Sequence, residues 1–363
     1  MTGRRGHVVL VGAGHGHLEV LRRADDLRAA GVELSVIAPG TFRYSGLASP
    51  IAAGLVAESE GTIDVAALAA RHGVAHHDGL VDAIDLPGRG VRADDGSWHP
   101  YTAVSFNVGS VSRTRPPAVT GEITVTKPLT GLAKLRTRLA ELVTAQRPPR
   151  VAVVGGGASG VELAATIAVR LGSDAEVSVY GRGPRLLVGA PARAARLAAA
   201  ALGERGVRVV GGVAVDVAAP DHIEVGGLVQ PVDLTVLATG LVAPPLLAEL
   251  GLGDARGIPT LATLQHPDHP EVFAVGDGAH FLPRPLPNLG VYGVRAAPVL
   301  VAGLRAHHTA APQPVFRPQQ RSLQVLELGA GEALGMRGPV VWRGRSALRL
   351  KRRIDRRWLD RYR

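Results

Sequence analysis

Gly155, Gly157 and Gly160 follow the apolar run Val151 to Val154 and open an Ala/Leu/Ile-rich stretch from Gly160 to Leu171. In such a strand-turn-helix setting the first glycine permits a tight turn and the second lets a pyrophosphate approach the backbone. The third lets the helix pack close to the strand. The phosphates then sit on free N–H groups at a helix N-terminus, where the helix dipole favours anions. With 46 glycines in the chain the spacing alone says little, and a purely structural turn is the alternative.

A second copy lies near the N-terminus, where Gly12-Ala13-Gly14-His15-Gly16-His17 keeps two of the three glycines and puts His17 at the third. His15 and His17 read as residues occupying a helix start rather than as ligand contacts. The acid expected some 20 residues on, which would hold a ribose 2′-hydroxyl, is replaced by Ala38-Pro39-Gly40. At the matching point of the second copy stands Tyr180-Gly181-Arg182. Arginine there pairs with a 2′-phosphate and tilts the expectation from NADH toward NADPH, with a ligand-free surface arginine as the alternative.

These residues need elements to position them, and the chain supplies the same set twice. Each glycine turn is followed by a helix-forming stretch (His17 to Ala30; Gly160 to Leu171) and a β-rich run (Val32 to Ile37; Glu176 to Tyr180), giving βαβ units. The second halves close on Ser105 to Gly109 and on Leu237 to Gly240. A further strand, Val272 to Asp277, leads into a helix from about Asn288 to Ala306. Proline-rich stretches punctuate the chain at Arg115-Pro116-Pro117, Arg147-Pro148-Pro149 and Ala310 to Pro318. The expected fold is α/β, with two Rossmann-like dinucleotide-binding domains of glutathione-reductase type. One is discontinuous (1–119 and 251–309), the other is inserted at 120–250, and 310–363 forms a C-terminal β/amphipathic-helix appendage.

Composition narrows the function classes. The chain of 363 residues is 46% hydrophobic and 20% charged, as for a globular protein, and has no cysteine. That removes redox disulfides, thiolate nucleophiles, zinc–thiolate sites and iron–sulfur clusters, so electron chemistry must belong to a bound cofactor. No metal site or nucleophile triad has residues behind it. The net charge of +10 is almost all arginine, lysine occurring only at Lys127, Lys134 and Lys351, and the one dense cluster is Arg343 to Arg363. Nucleic acid is not an expected partner. Met1 to Gly6 run into a strand-like segment without a signal-peptide pattern, and no apolar run is long enough for a bilayer, so the expected address is the cytoplasm.

The two glycine turns, Ala238-Thr239-Gly240, and Val275-Gly276-Asp277 ahead of a helix together resemble the FAD-dependent pyridine nucleotide oxidoreductase superfamily. More narrowly, His7 to His17, Tyr44-Ser45-Gly46, Gly290 to Arg295 and Leu350 to Trp358 resemble type II NADH dehydrogenase-like proteins, most nearly the oxidoreductase domain found fused to selenophosphate synthetases. The resemblance implies that Gly12, Gly14 and Gly16 cradle the FAD pyrophosphate and that Asp277 binds the ribityl chain. The helix after Leu289, opened by Gly290 and Val291, would aim its positive end at the flavin's pyrimidine edge. His17, Pro39, Gly109 and Gly276 complete that expected site, while Gly155, Gly157, Gly160, Arg182 and Gly240 would hold the nicotinamide cofactor.

Two further residues carry roles by the same resemblance. Glu162 is expected near the nicotinamide–flavin contact, steering the ring or proton traffic; the alternative is a first-turn glutamate stabilising its own helix dipole. Lys127 is expected to bring a compact charge or a proton near the flavin, against the alternative of a solvated lysine. The implied activity is hydride transfer from NAD(P)H to FAD and electron delivery to a small acceptor. A quinone fits the resemblance best, although the glutamine-rich quinone signature is not evident around Tyr292 to Pro298. Dioxygen, a dye-like molecule or an electron-transfer protein also fit the residues. So do a flavin-dependent tailoring enzyme acting on a metabolite and, from another class, a nonenzymatic dinucleotide-sensing or partner-binding module.

Leu350, Ile354 and Trp358 at i, i+4 and i+8, ringed by arginines, read as a basic amphipathic helix. Its apolar stripe is expected to dock on its own protein or on a second subunit in a homodimer, or to lie on the inner face of an anionic membrane.

Overall fold

The computed structural model describes residues 6–114 and 117–363. Met1 to Arg5, in the stretch read for a leader, and Arg115-Pro116 of the first proline-rich stretch lie outside the described residues. Along the chain come β1 (Gly6–Val11), α1 (His15–Arg22), β2 (Val32–Ile37), β3 (Ala75–His77) and β4 (Ala103–Phe106). The middle contains β5 (Thr124–Val125), α2 (Gly131–Val143), β6 (Arg150–Val154), α3 (Ala158–Leu171), β7 (Glu176–Gly181), α4 (Ala192–Gly203), β8 (Arg208–Gly211) and β9 (Leu234–Leu237). The last part holds β10 (Val272–Ala274), α5 (Gly290–Thr309), β11 (Gln324–Glu327), β12 (Ala333–Arg337), β13 (Val340–Gly344) and α6 (Arg345–Leu359).

Two five-stranded parallel sheets result, in the orders β10-β4-β1-β2-β3 and β5-β9-β6-β7-β8. Sheets of this kind are covered on both faces, so their strands read as continuous apolar runs. Val8 to Val11 and Val151 to Val154 are accordingly all buried. Each glycine turn leaves the middle strand of its sheet, which places both turns at carboxyl edges where α/β sheets bind ligands. Small antiparallel sheets flank them, Val81–Asp85 with Gly90–Ala93 and Trp98–Pro100 in the first unit, and His222–Val225 with Leu228–Pro231 in the second. A two-residue pairing, Val111–Ser112 with Leu241–Val242, stitches the units together.

The helix expected over His17 to Ala30 is broken: α1 ends at Arg22 and a short helix, Ala24–Arg28, follows, the bend keeping Ala24 and Leu27 buried. The appendage spans both units. Leu326, Leu328, Leu334 and Met336 from its sheet join the core of the second unit, and Arg343 there pairs with Glu204 and Glu332. The end of α6 and the residues just after it put Trp358, Leu359 and Tyr362 into the core of the first unit instead.

The apolar stripe expected on α6 is divided: Trp358 is buried, whereas Leu350 and Ile354 are 37% and 43% exposed. Steps of four residues drift by about 40° each on a 3.6-residue helix. The buried face is instead Ala347, Leu348, Lys351, Asp355, Trp358 and Leu359. No described helix is long and apolar enough to cross a membrane.

Candidate functional site

At the first carboxyl edge, Gly12 adopts φ +81°, and a Cβ there would stand 2.8 Å from the Asn107 carbonyl oxygen. The Gly14 amide donates to that carbonyl at 3.1 Å. The Asn107 side chain closes the turn: its Oδ1 accepts from the amides of Gly16 (2.8 Å) and His17 (3.2 Å), and its Nδ2 donates to the Val275 carbonyl at 2.9 Å. Two amides of the turn, those of Ala13 and His15, have no protein acceptor among the described residues. They are the donors left for a phosphate beside the start of α1.

His17 is fully buried, its Nδ1 2.5 Å from the Gly12 carbonyl and its Nε2 2.8 Å from the Ser105 hydroxyl. Burial pushes its pKa down to about 4, so the neutral ring donates from Nδ1 to the carbonyl and accepts from Ser105. A bridging imidazole thus does the close helix-to-strand packing that a third glycine would otherwise allow, and the His17 ring faces the core rather than the cofactor edge. His15 is likewise held to about 4 by burial, reinforced by the charge of Lys127 and opposed by Asp277. Its ring meets Trp358 (4.9 Å), Phe42 (5.2 Å) and Tyr44 (5.8 Å), and Tyr44 stacks on Trp358 at 4.8 Å. The Trp358 Nε1 is buried with no acceptor.

Asp277 follows β10 at Gly276 (φ +74°), where a Cβ would lie 2.6 Å from Asn107 Nδ2. Its Oδ2 accepts from the Ser110 hydroxyl at 2.8 Å and pairs with Lys127 Nζ at 3.2 Å. Lys127 is therefore an ion-paired, largely covered lysine rather than a solvated one. Gly290 opens α5 against the His15 ring, which a Cβ at Gly290 would meet at 3.2 Å, and Val291 packs on the same core. Gly109, at φ +78°, borders open space, and Pro39 is exposed at the end of β2.

At the second edge, Gly155 has φ +137°, and a Cβ would stand 2.1 Å from the Ala238 carbonyl oxygen; one at Gly160 would stand 1.7 Å from that of Gly155. No side chain other than hydrogen fits either position. A Cβ at Gly157 meets nothing within 4 Å, and Gly240 (φ +104°) likewise borders open space, so the turn is closed toward the protein and open outward. Arg182 is exposed just past the carboxyl end of β7.

Glu162 is the fifth residue of α3, past its first turn, so the reading of a first-turn glutamate does not hold, and its side chain is turned toward the appendage. Its carboxylate accepts the Glu327 amide at 2.7 Å, and burial raises its pKa to about 7 against the opposing charge of Lys351. Beside it Lys351 pairs with Asp355 at 2.7 Å and donates to the Gly46 carbonyl, and Tyr44 Oη donates to Asp355 at 2.9 Å. Burial also raises Glu327, which lies 3.7 Å from Arg352. One buried polar cluster therefore joins the loop after β2, the start of α3 and the appendage. Asn107, Ser110, Lys351 and Asp355 were not singled out by the sequence reading. A polar residue ending the strand-like run Ala103 to Phe106, and the i, i+4 Lys/Asp pair on α6, are the signals that carried them.

Two parallel sheets of one strand order, each with a glycine turn built for a pyrophosphate, define a two-dinucleotide α/β oxidoreductase. The chain belongs to the pyridine nucleotide-disulphide oxidoreductase family, whose model matches residues 6–303, and it is an FAD-dependent NAD(P)H oxidoreductase. Over 295 residues it is 29% identical to the demethylphylloquinone reductase NdbB of Synechocystis sp., covering 77% of this chain and 73% of that protein. Among solved structures, the NDH2 of Plasmodium falciparum in complex with NADH superimposes with a TM-score of 0.86 at 12% identity, covering 98% and 97% of the two chains. The sulfide:quinone oxidoreductase of Aquifex aeolicus does so at 0.84 and 16%, covering 98% and 91%.

Proposed function

We propose that the first unit (1–119 and 251–309) holds FAD, that the inserted unit (120–250) holds NAD(P)H, and that the pair passes two electrons to a quinone-like acceptor. The observation carrying this reading is the pair of phosphate cradles at equivalent edges of two sheets, joined at a cysteine-free centre around Asp277 and Lys127. The names of the Synechocystis relative and the Aquifex structure both specify quinone chemistry and support the acceptor class. The resemblance of His7 to His17, Tyr44-Ser45-Gly46 and Leu350 to Trp358 to the oxidoreductase domain fused to selenophosphate synthetases supports reading the chain as a relative of that branch.

FAD, when bound, supplies the hydride acceptor and the electron relay. The chain's own residues do the rest. Ala13 and His15 amides would hold the pyrophosphate. Asp277, oriented by Lys127 and Ser110, would accept hydrogen bonds from the ribityl hydroxyls, and the free N-terminus of α5 would stabilise negative charge near Gly290. Gly155, Gly157 and Gly160 would seat the nicotinamide dinucleotide, with Arg182 on a 2′-phosphate. Glu162 would hold a proton at the junction between the units, where quinone reduction consumes one from solution for each hydride delivered. The arginine face of α6, with Leu350 and Ile354 standing out from it, would rest on an anionic membrane at the cytoplasmic side.

Purified protein reconstituted with FAD, reduced anaerobically by NADPH or NADH and then reoxidised by a soluble quinone, tests the reading. Flavin that stays oxidised under excess of both dinucleotides would refute it.

A further inference from the structure

The strand β2 lacks the acid that ordinarily anchors a ribose, and this leaves the adenosine half of the dinucleotide without its usual carboxylate. We infer that Asp78, at the end of the neighbouring strand β3, supplies that carboxylate. The inference rests on the FAD reading above.

The sheet order fixes which side the adenosine takes. Asp277 and Gly290, the flavin-side residues, follow β10, which lies on one side of the central strand β1. A dinucleotide whose pyrophosphate sits on the turn after β1 therefore extends its adenosine over the other side, across the ends of β2 and β3. There Ile37 pairs with His77, the Ala38 amide donates to the His77 carbonyl at 3.1 Å, and His76 Nε2 reaches the Ala38 carbonyl at 2.9 Å. This ladder delivers Asp78 to the place where the β2 acid is missing: its Oδ1 accepts the Gly40 amide at 3.1 Å.

Three carboxylates crowd this corner, and only one suits a ligand. Asp94 accepts the Leu80 amide, and Asp95 caps Ser97 and lies 3.5 Å from His77. Asp78 is exposed, forms no ion pair among the described residues, and keeps its second oxygen without a partner. One oxygen orients the carboxylate through Gly40 while the other is left for a ribose hydroxyl.

Asp78→Asn keeps an oxygen for the Gly40 amide and removes the charge. Apoprotein titrated with FAD, followed by quenching of flavin fluorescence, should show a dissociation constant raised about tenfold, the scale of a lost charge-assisted hydrogen bond. FMN, which lacks adenosine, should bind wild type and variant alike. Unchanged FAD affinity overturns the assignment, and so does an equal loss for FMN, which would mark Asp78 as a structural support of the loop. Wild-type protein that takes up no FAD would overturn the oxidoreductase reading as well, so the two failures are distinguishable.

Discussion

Single side chains here owe their properties to burial more than to type. Glu162 holds its proton to about pH 7 because its charge would have to sit in the interior. The folded state therefore binds more protons than the unfolded one between the ordinary carboxylate range and pH 7, and stability falls as pH rises through that window. Glu162→Gln retains an acceptor for the Glu327 amide and removes the penalty. Urea unfolding should find the variant close to wild type at pH 5 and more stable at pH 8, by up to about 3 kcal/mol. If the proton serves the acceptor, turnover of wild type should decline above pH 7, and the variant should lose that limb while still being reduced by NAD(P)H. At the other cradle Arg182→Ala should raise the KM for NADPH about tenfold and leave that for NADH unchanged, measured in the same steady-state assay. An equal effect on both would remove Arg182 from the 2′-phosphate.

At the level of elements, the parallel strands and both glycine turns were legible because each is dictated locally. A valine-rich run needs cover on both faces, and a turn at φ +137° with a carbonyl 2.1 Å from any Cβ admits only glycine. What escaped the sequence depends on partners far along the chain. His17 looked like a lost glycine, and only Ser105, brought beside it by the β1–β4 pairing, turns it into a bridge. The stripe read on α6 failed because a buried ion pair, Lys351–Asp355, takes positions that an amphipathic reading assigns to water. That pair carries its own test. Lys351→Met leaves Asp355 buried with only Tyr44 for company and should cost about 3–5 kcal/mol in urea unfolding, whereas a variant that also carries Asp355→Leu should recover part of the loss. A loss below 1 kcal/mol would mean that water already reaches the pair.

For the whole molecule, charge is placed as tellingly as the core. The arginines of α6, Arg349, Arg353 and Arg357 among them, share a surface with the exposed Leu350 and Ile354. Co-sedimentation with phosphatidylglycerol vesicles at low ionic strength should be strong, weaken as salt is added, and drop for Arg353→Glu/Arg357→Glu with FAD binding intact. Equal sedimentation with neutral phosphatidylcholine vesicles would count against a role for charge. The appendage that bears this helix grips the inserted unit through Arg343 and Glu204 and the first unit through Trp358 and Tyr362. It lies as a strap across the joint between them. Tied at both ends, the two units are expected to keep one mutual angle through the redox cycle, and small-angle scattering of oxidised and dithionite-reduced protein should then superimpose; profiles that differ would mean that the strap yields.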